Sequence, residues 1–163
     1  MYQNNDKLIT SLNSLVRLCN DYRENGKKIV MTNGCFDILH TGHIFLLNEA
    51  RRLGDLLIVA LNSDSSVKLN KGNKRPINNE IDRAHVLSAV ENVDHIIIFN
   101  EKTPEEIICS ILPDILVKGA DYKDKYVAGQ VCLEKIGKKI ILVDLVEGKS
   151  TTDLINKLDN IKS

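Results

Sequence analysis

The hydrophobic positions of the chain fall into short continuous runs, separated by longer segments in which apolar residues recur every three or four positions. Short runs rich in Ile, Val and Leu, without polar alternation, are typical of strands that are buried on both faces of a parallel sheet. The pattern predicts five such strands, at Lys28–Thr32, Leu56–Leu61, His95–Phe99, Ile115–Lys118 and Lys139–Val143.

The segments between these runs have the period of amphipathic helices. They predict helices at Leu8–Tyr22, His43–Leu53, Asn79–Val90, Pro104–Leu112, about Tyr126–Ile136, and Thr152–Ile161. Alternating strands and helices imply right-handed crossovers, and hence an α/β fold with a doubly wound five-stranded parallel sheet. Ligands of such sheets bind beyond the carboxyl ends of the strands. A site is therefore expected in the loops that follow Thr32, Leu61, Phe99, Lys118 and Val143.

No internal repeat, low-complexity tract or long linker divides the sequence. We therefore expect one domain over residues 1–163, in which residues 1–26 form an N-terminal helical extension. The segment Asn70–Asn78 is polar and contains both Gly and Pro, so it is predicted to be a mobile loop.

The composition narrows the class of protein. Hydrophobic residues make up 43% and charged residues 27%, which is typical of a soluble globular domain. The 22 basic and 22 acidic residues cancel, which argues against binding to nucleic acid or an anionic membrane through bulk charge. The segment Met1–Ser14 lacks the apolar core of a signal peptide, and no run approaches the roughly 18 apolar residues of a membrane helix. The expected location is the cytoplasm.

The four cysteines are far apart and form no CxxC pair; they are Cys19, Cys35, Cys109 and Cys132. This spacing argues against a zinc site, and the length of the chain argues against a disulfide framework. We therefore expect four reduced thiols and no protein-bound metal.

The segment Thr32–His43 (TNGCFDILHTGH) leaves the first predicted strand and enters a helix. Gly34 allows the backbone to turn sharply and to approach a ligand. His40 and His43 lie near the helix N-terminus, where free N–H groups and the helix dipole favour phosphate. Simple helix capping is the usual role of a lone His, but this pattern favours phosphate binding. No third metal ligand stands at a suitable spacing. A dinucleotide-binding loop would need G-x-G-x-x-G, which is absent.

Gly34-Cys-Phe-Asp37 followed by His40-Thr-Gly-His43 resembles the GxFDxxHxGH signature of the cytidylyltransferase-like nucleotidyltransferases. From Lys27 to Leu158 the chain is more closely similar to the heptose 1-phosphate adenylyltransferases, which occur alone or as the C-terminal half of a bifunctional kinase/adenylyltransferase. The similarity rests on six blocks in the same order: TNGCFDILHTGH, LNSDSSV, KGNKRPIN, DRA, ILPDILVKGADY and EGKSTTDLI.

The resemblance implies a reaction and its substrates. A sugar phosphate, D-glycero-D-manno-heptose 1-phosphate, attacks the α-phosphorus of ATP, and ADP-heptose for the lipopolysaccharide core is formed with release of pyrophosphate. The resemblance also implies Mg²⁺ as cofactor and a homodimer as the assembly. It implies a Rossmann-like nucleotidyltransferase fold for the chain.

The resemblance implies roles for individual residues. Catalytic roles fall to His40, His43, Lys71, Ser150 and Thr151. Nucleotide-binding roles fall to Thr32, Asn33, Gly34, Cys35, Phe36, Asp37, Gly42, Arg75, Arg83, Lys118, Gly119, Asp121 and Thr152. For several of these a structural role stays open: Asp37 as a tie within its loop, Lys71 and Arg75 as solvated loop cations, Arg83 in a surface salt bridge, and Ser150 and Thr151 as helix caps.

Two departures from the family pattern concern Lys149, where an aromatic residue is usual, and Gln130, where many relatives are acidic. Related cytidylyltransferases carry an Arg shortly before the Glu-Gly block, whereas this chain has Leu145 and Val146, which favours ATP over CTP.

One alternative is the same chemistry on another acceptor, such as glycerol 3-phosphate with CTP or a vitamin phosphate with ATP. A second alternative is a nucleotide-binding sensor domain without turnover.

Overall fold

The computed structural model describes residues 5–144, 146, 148, 151, 154, 155 and 157. Strands and helices alternate along the chain, as the hydrophobic pattern predicts. In order they are β1 (Leu8–Ile9), α1 (Leu12–Glu24), β2 (Ile29–Gly34), α2 (Thr41–Arg51), β3 (Leu56–Asn62), α3 (Asp64–Lys71), α4 (Glu80–Ser88), β4 (His95–Phe99), α5 (Glu105–Ile111), β5 (Ile115–Gly119), a 3₁₀ turn (Ala120–Tyr122), α6 (Gln130–Glu134) and β6 (Lys139–Val143).

The strands form one parallel sheet in the order β1-β4-β3-β2-β5-β6. The predicted doubly wound α/β fold is confirmed, and the sheet has six strands rather than five. The additional strand is Leu8–Ile9, which was expected to begin the first helix and instead pairs with β4. The helix begins only at Leu12, because the Ser11 side chain accepts a hydrogen bond from Ser14 N (3.1 Å) and caps it.

The core lies in two layers, one on each face of the sheet. One layer joins α1, α5 and α6 to the sheet, and the other joins α2 and α4 to it. All seven residues of β3 are buried, as expected for a central parallel strand. The predicted N-terminal extension contributes to this core, because Leu15 and Cys19 of α1 are completely buried.

Helix α3 was not predicted from the sequence. Asn70 and Lys71, expected in the mobile loop, are its last residues, and Gly72 ends it with a positive φ of 84°. The helix begins after Ser63, whose side chain accepts from Ser66 N (3.2 Å). Its hydrophobic stripe is too short to detect, because Val67 is its only buried apolar residue.

The expectation of four reduced thiols is wrong for one pair. Cys109 of α5 and Cys132 of α6 form a disulfide, with a Cα–Cα distance of 5.7 Å. The two residues are 23 positions apart, but α5 and α6 pack on the same face of the sheet, which brings them together. Cys19 and Cys35 are free. Within the described part of the chain, every helix is too short or too polar to cross a membrane.

Candidate active site

A cleft opens at the carboxyl edge of the sheet, where the order of the strands reverses. From β2 the chain proceeds to β3 and β4 on one side, then crosses to β5 on the other side of β2. Such a reversal leaves a crevice between the outgoing loops, which is the usual ligand site of doubly wound sheets. The cleft measures about 430 Å³ and extends across the ends of β2, β3, β4 and β5.

Many of the predicted site residues line this cleft: Thr32, Asn33, Gly34, Cys35, Phe36, His43, Lys71, Lys118, Gly119 and Asp121. The other described site residues are not among those that line it: Asp37, His40, Gly42, Arg75, Arg83 and Thr151. Ser150 and Thr152, together with Lys149 and Leu145, lie outside the described residues. Gln130 begins α6 away from the cleft, and its side chain donates to Glu134 (2.7 Å).

The two histidines meet at the N-terminus of α2. His40 is the N-cap, and its Nδ1 accepts a hydrogen bond from Gly42 N (3.1 Å). In a neutral His40 ring the proton is therefore assigned to Nε2. The rings of His40 and His43 stack, with centroids 3.8 Å apart. Both imidazoles thus lie at a helix end that already favours anions.

His43 is held between two rings. The Phe36 ring lies 5.1 Å from it, on centroids, and His40 stacks against it. Burial, followed by the charges of His40 and Lys71, lowers the pKa of His43 to about 4. The ring is therefore neutral near pH 7, so it can donate a hydrogen bond but carries no positive charge. Within the described residues its Nδ1 has no hydrogen-bond partner.

The backbone of the turn after β2 is shaped to admit the Phe36 ring. Phe36 has a positive φ of 43°, which is uncommon for a residue other than Gly. Its ring packs on Gly34, where a Cβ would lie only 3.0 Å from the ring. A Cβ at position 34 would therefore press the Phe36 ring a few tenths of an ångström away from its place beside His43.

Lys118 connects the two strands that flank the crevice. It lies near the end of β5, is only 6% exposed, and its Nζ donates to Asn33 Oδ1 of β2 (2.9 Å). The same ammonium group lies 3.9 Å from the centroid of the Tyr122 ring. Burial lowers the pKa of Lys118 to about 8, against the opposing effect of Asp121. Lys118 is therefore mostly protonated at pH 7 and places a positive charge at the reversal point.

Asp37 and Arg75 are engaged with the protein rather than exposed to the cleft. The Asp37 side chain is 1% exposed and accepts from Arg75 Nε (2.6 Å). It also accepts from the backbone N–H groups of Ile77 (2.8 Å) and Asn78 (2.9 Å). The carboxylate therefore fastens the segment after α3 to the turn after β2, which is the structural role left open for Asp37.

Arg83 is the most deeply buried cation of the site, with a fully buried side chain. It donates to the carbonyls of Cys35 and Asn62 (both 2.7 Å) and of Asn78 (3.0 Å). Its Nη2 pairs with Asp64 at 2.7 Å. Arg83 therefore joins the ends of β2 and β3 to the segment before α4. Because the Arg83 side chain is buried, its pair with Asp64 differs from the surface salt bridge that the sequence left open. Asp37, Arg75 and Arg83 are called the frame residues below.

Thr151 lies against the turn that precedes α2. It is 8% exposed, and its Oγ1 donates to the carbonyl of Ile38 over 3.4 Å. This contact joins Thr151 to the backbone two residues before His40.

Sequence reasoning missed several residues of the cleft: Leu46, Asn62, Asn70, Lys102, Thr103, Pro104, Tyr122, Tyr126 and Ala128. Most follow strand ends, so the expectation of a site in the loops after Leu61 and Phe99 points to their neighbourhood. No sequence motif distinguishes the individual residues. Tyr126 depends on tertiary contacts, because the Glu105 carboxylate accepts from its hydroxyl (3.2 Å) and from Gly129 N (2.8 Å). Among the described residues, no group of three or more His, Cys, Asp or Glu side chains could hold a metal.

Comparison with known proteins gives consistent matches. The family model described as cytidylyltransferase-like matches residues 31–157. The bifunctional protein HldE of Campylobacter concisus is 56% identical over 137 residues, which cover 84% of this chain and 28% of that protein. The bifunctional protein HldE of Campylobacter jejuni is 52% identical over 157 residues, covering 96% and 32%. The chain thus spans about a third of the length of these curated relatives.

Solved structures add two neighbours. A lipopolysaccharide core biosynthesis protein from Thermoplasma volcanium is 32% identical with a TM-score of 0.60, and the match covers 76% of this chain and all of that one. A pantoate-beta-alanine ligase from Francisella tularensis, in complex with beta-gamma ATP and beta-alanine, has a TM-score of 0.63 over 96% of this chain and 78% of its own. At 15% identity, the second match concerns the fold alone.

Proposed function

The chain belongs to the cytidylyltransferase-like family of nucleotidyltransferases, and from this premise we propose that it transfers AMP from ATP to D-glycero-D-manno-heptose 1-phosphate. The products are ADP-heptose, for lipopolysaccharide core synthesis, and pyrophosphate. The observation that supports this proposal most strongly is the neutral His43, which faces the cleft from a helix N-terminus that favours phosphate. The six sequence blocks shared with heptose 1-phosphate adenylyltransferases favour this acceptor.

The reaction needs no covalent intermediate and no general base. An oxygen of the sugar phosphate is already anionic, so it attacks the α-phosphorus of ATP directly. The bond from the α-phosphorus to the bridging oxygen breaks, and pyrophosphate leaves with the electron pair. Catalysis then consists of positioning and stabilisation of charge. His40 and His43 donate hydrogen bonds to the α-phosphoryl oxygens and to the leaving group.

Lys118 and Lys71 supply the positive charge in this scheme. Lys118 sits at the crevice between β2 and β5, beside Asn33, and there it would contact the triphosphate. Lys71 ends α3 on the other side of β2 and lines the same cleft as His43. Charges on two sides of the reacting phosphates reduce the repulsion between the anionic nucleophile and the triphosphate.

Mg²⁺ fits this site as a companion of the triphosphate. It prefers oxygen ligands, keeps several waters, and is usually bound through substrate phosphates and one or two carboxylates. Asp121, at the end of the cleft near Lys118, is the carboxylate that could contact it. When bound, the ion would neutralise part of the charge of the triphosphate.

We also propose that the protein is a homodimer and that it acts in the cytoplasm. The family resemblance is the main support for both proposals. The solvent-facing side of α4 carries apolar side chains, with Ile81 49% and Val86 52% exposed, which a second subunit could cover. Light scattering coupled to gel filtration tests the assembly, with a mass of twice 18.3 kDa as the expected result.

The test is pyrophosphate release by the purified protein with Mg²⁺, D-glycero-D-manno-heptose 1-phosphate, and either ATP or CTP. Release with ATP and little with CTP is the expected result. Release with CTP and glycerol 3-phosphate instead would favour the cytidylyltransferase alternative. Nucleotide binding without pyrophosphate release, over a panel of sugar, glycerol and vitamin phosphates, would favour the sensor domain.

A further inference from the structure

Polar side chains also gather on the side of β2 that faces away from the β2/β5 crevice. Asn62 ends β3, Asn70 and Lys71 end α3, and Lys102 and Thr103 follow β4. All five line the cleft. The crevice beside Lys118 accommodates the triphosphate in the proposed reaction, so this second half of the cleft is left for the acceptor.

The turn after β4 is fastened to α3 by side-chain hydrogen bonds. Asn70 Nδ2 donates to the carbonyls of Ser66 (3.0 Å) and Lys102 (2.9 Å). Ser66 Oγ donates to the carbonyl of Glu101 (2.6 Å). Lys71 directly follows Asn70, so Lys71 and Lys102 belong to two segments that are joined to each other. Their backbones are therefore held in a fixed relation along one side of the cleft.

The two lysines bring charge that the protein does not neutralise. Both side chains are exposed, and neither takes part in a salt bridge within the described part of the chain. A phosphate monoester offers up to two negative charges and three acceptor oxygens, which match two ammonium groups. Tyr126, whose hydroxyl donates to Glu105 just beyond the turn after β4, lines the same cleft and offers apolar surface to a sugar ring.

Resting on the proposed transfer reaction, we propose that Lys102 determines acceptor specificity: with Lys71, it holds the phosphate of the acceptor at the β3/β4 side of the cleft, while Asn70 joins the two segments that carry the lysines. The acceptor class is a monophosphate ester, presented with its phosphate toward α3 and its sugar toward Tyr126. Lys102 then contributes to acceptor binding, whereas Lys118 contributes to nucleotide binding.

The experiment compares Lys102→Gln with Lys102→Arg and with a matched control, Lys68→Gln. Lys68 is an exposed lysine of α3 that does not line the cleft. Pyrophosphate release is measured while heptose 1-phosphate is varied at saturating ATP, and then while ATP is varied at saturating acceptor. For Lys102→Gln we expect the KM for the sugar phosphate to rise about tenfold or more, as expected for loss of one charge-assisted contact. The KM for ATP stays within about twofold, Lys102→Arg recovers most of the loss, and Lys68→Gln matches the wild type.

Two results would overturn the inference, and they are separable from failure of the proposed function. If wild type is active but Lys102→Gln leaves the KM for the acceptor unchanged, Lys102 does not bind the acceptor phosphate. If the KM values for ATP and acceptor rise together, Lys102 acts on the nucleotide or on the fold, which circular dichroism distinguishes. If the wild type releases no pyrophosphate with any phosphate acceptor, the proposed function itself is wrong, and the acceptor site fails with it.

Discussion

Charged and polar side chains at the carboxyl edge of the sheet are used in two different ways. The frame residues Asp37, Arg75 and Arg83 are buried or nearly so, and their polar atoms bond to other parts of the protein. His43 and Lys118 are also largely buried, yet both line the cleft, and they are called the cleft residues below. Residues of the first kind position the loops, and residues of the second kind are available to substrates. Matching a family motif does not reveal which kind a residue is.

The largest expected effect is the loss of turnover when a histidine at the N-terminus of α2 is replaced, beginning with the cleft residue His43. In His43→Ala, loss of a hydrogen-bond donor at the reacting phosphates should reduce kcat about 10²- to 10³-fold, and His40→Ala should also reduce it strongly. The free energy of unfolding should change little in His43→Ala and should fall by about 1 kcal/mol in His40→Ala, which loses the N-cap of α2. Pyrophosphate release and urea unfolding are measured on the same samples. His43→Asn, which retains an N–H donor, should lie between wild type and His43→Ala. Near-normal rates in both alanine variants would remove the catalytic role of the pair.

The next largest effect is expected for the frame residues, whose replacement should mainly lower the stability of the fold. Arg83→Ala leaves three carbonyls and Asp64 without their donor, so the free energy of unfolding should fall by about 3 kcal/mol. Arg52→Ala is the control, because the Arg52 side chain is 75% exposed and its ion pair with Glu49 should be worth no more than about 1 kcal/mol. Equal losses of unfolding free energy in the two variants, measured by urea unfolding, would contradict the division into frame residues and cleft residues.

A smaller effect is the pH dependence that Lys118 introduces. Because burial lowers the pKa of Lys118 to about 8, its ammonium group loses its proton as the pH rises through 8. If that charge holds the triphosphate, kcat/KM for ATP should be steady below pH 8 and fall about tenfold per pH unit above it. Lys118→Arg keeps its charge and should shift the fall beyond the measurable range. If kcat/KM for ATP of the wild type stays constant up to about pH 9.5, Lys118 belongs with the frame residues instead.

The smallest signal is the protonation of His43 itself. Its pKa of about 4, set mainly by burial, keeps the ring neutral in the folded protein at pH values where the unfolded chain is already protonated. The contribution of His43 to stability is therefore intact above about pH 6.5 and is lost as the pH falls toward 4. NMR titration of the labelled imidazole, assigned with His43→Ala, checks the value. A midpoint near 6.5 would show that the ring is not buried as described.

Much of the fold could be predicted because the central strands are continuous apolar runs. β3 is buried throughout, and its limits agree with the run Leu56–Leu61 to within one residue. β1 was missed, because two apolar residues are too few to establish a period. α3 was missed for a similar reason, since its length depends on Ser63 capping and on one buried valine. The Cys109–Cys132 disulfide follows from the packing of α5 and α6, which the spacing of the cysteines does not encode.

Residues of the candidate site could be predicted where they lie within a short sequence motif. The segment Asn33–Phe36, His43 and Lys118 were predicted from such motifs and line one cleft. Arg83 was predicted as a nucleotide ligand, but it donates to loops that are distant in sequence. Lys102 was not predicted, because its place in the cleft depends on the contact of its carbonyl with Asn70. Long-range hydrogen bonds are the information that the sequence pattern lacks.

The central claim is that the enzyme transfers AMP, and the fate of labelled phosphate tests it most directly. The protein is incubated with heptose 1-phosphate, Mg²⁺ and ATP that is radiolabelled at either the α- or the γ-phosphate, and the products are separated. AMP transfer predicts that the α label appears in the nucleotide sugar and that the γ label appears in pyrophosphate. Appearance of the γ label in the sugar product, or of the α label only in free AMP, would contradict the account.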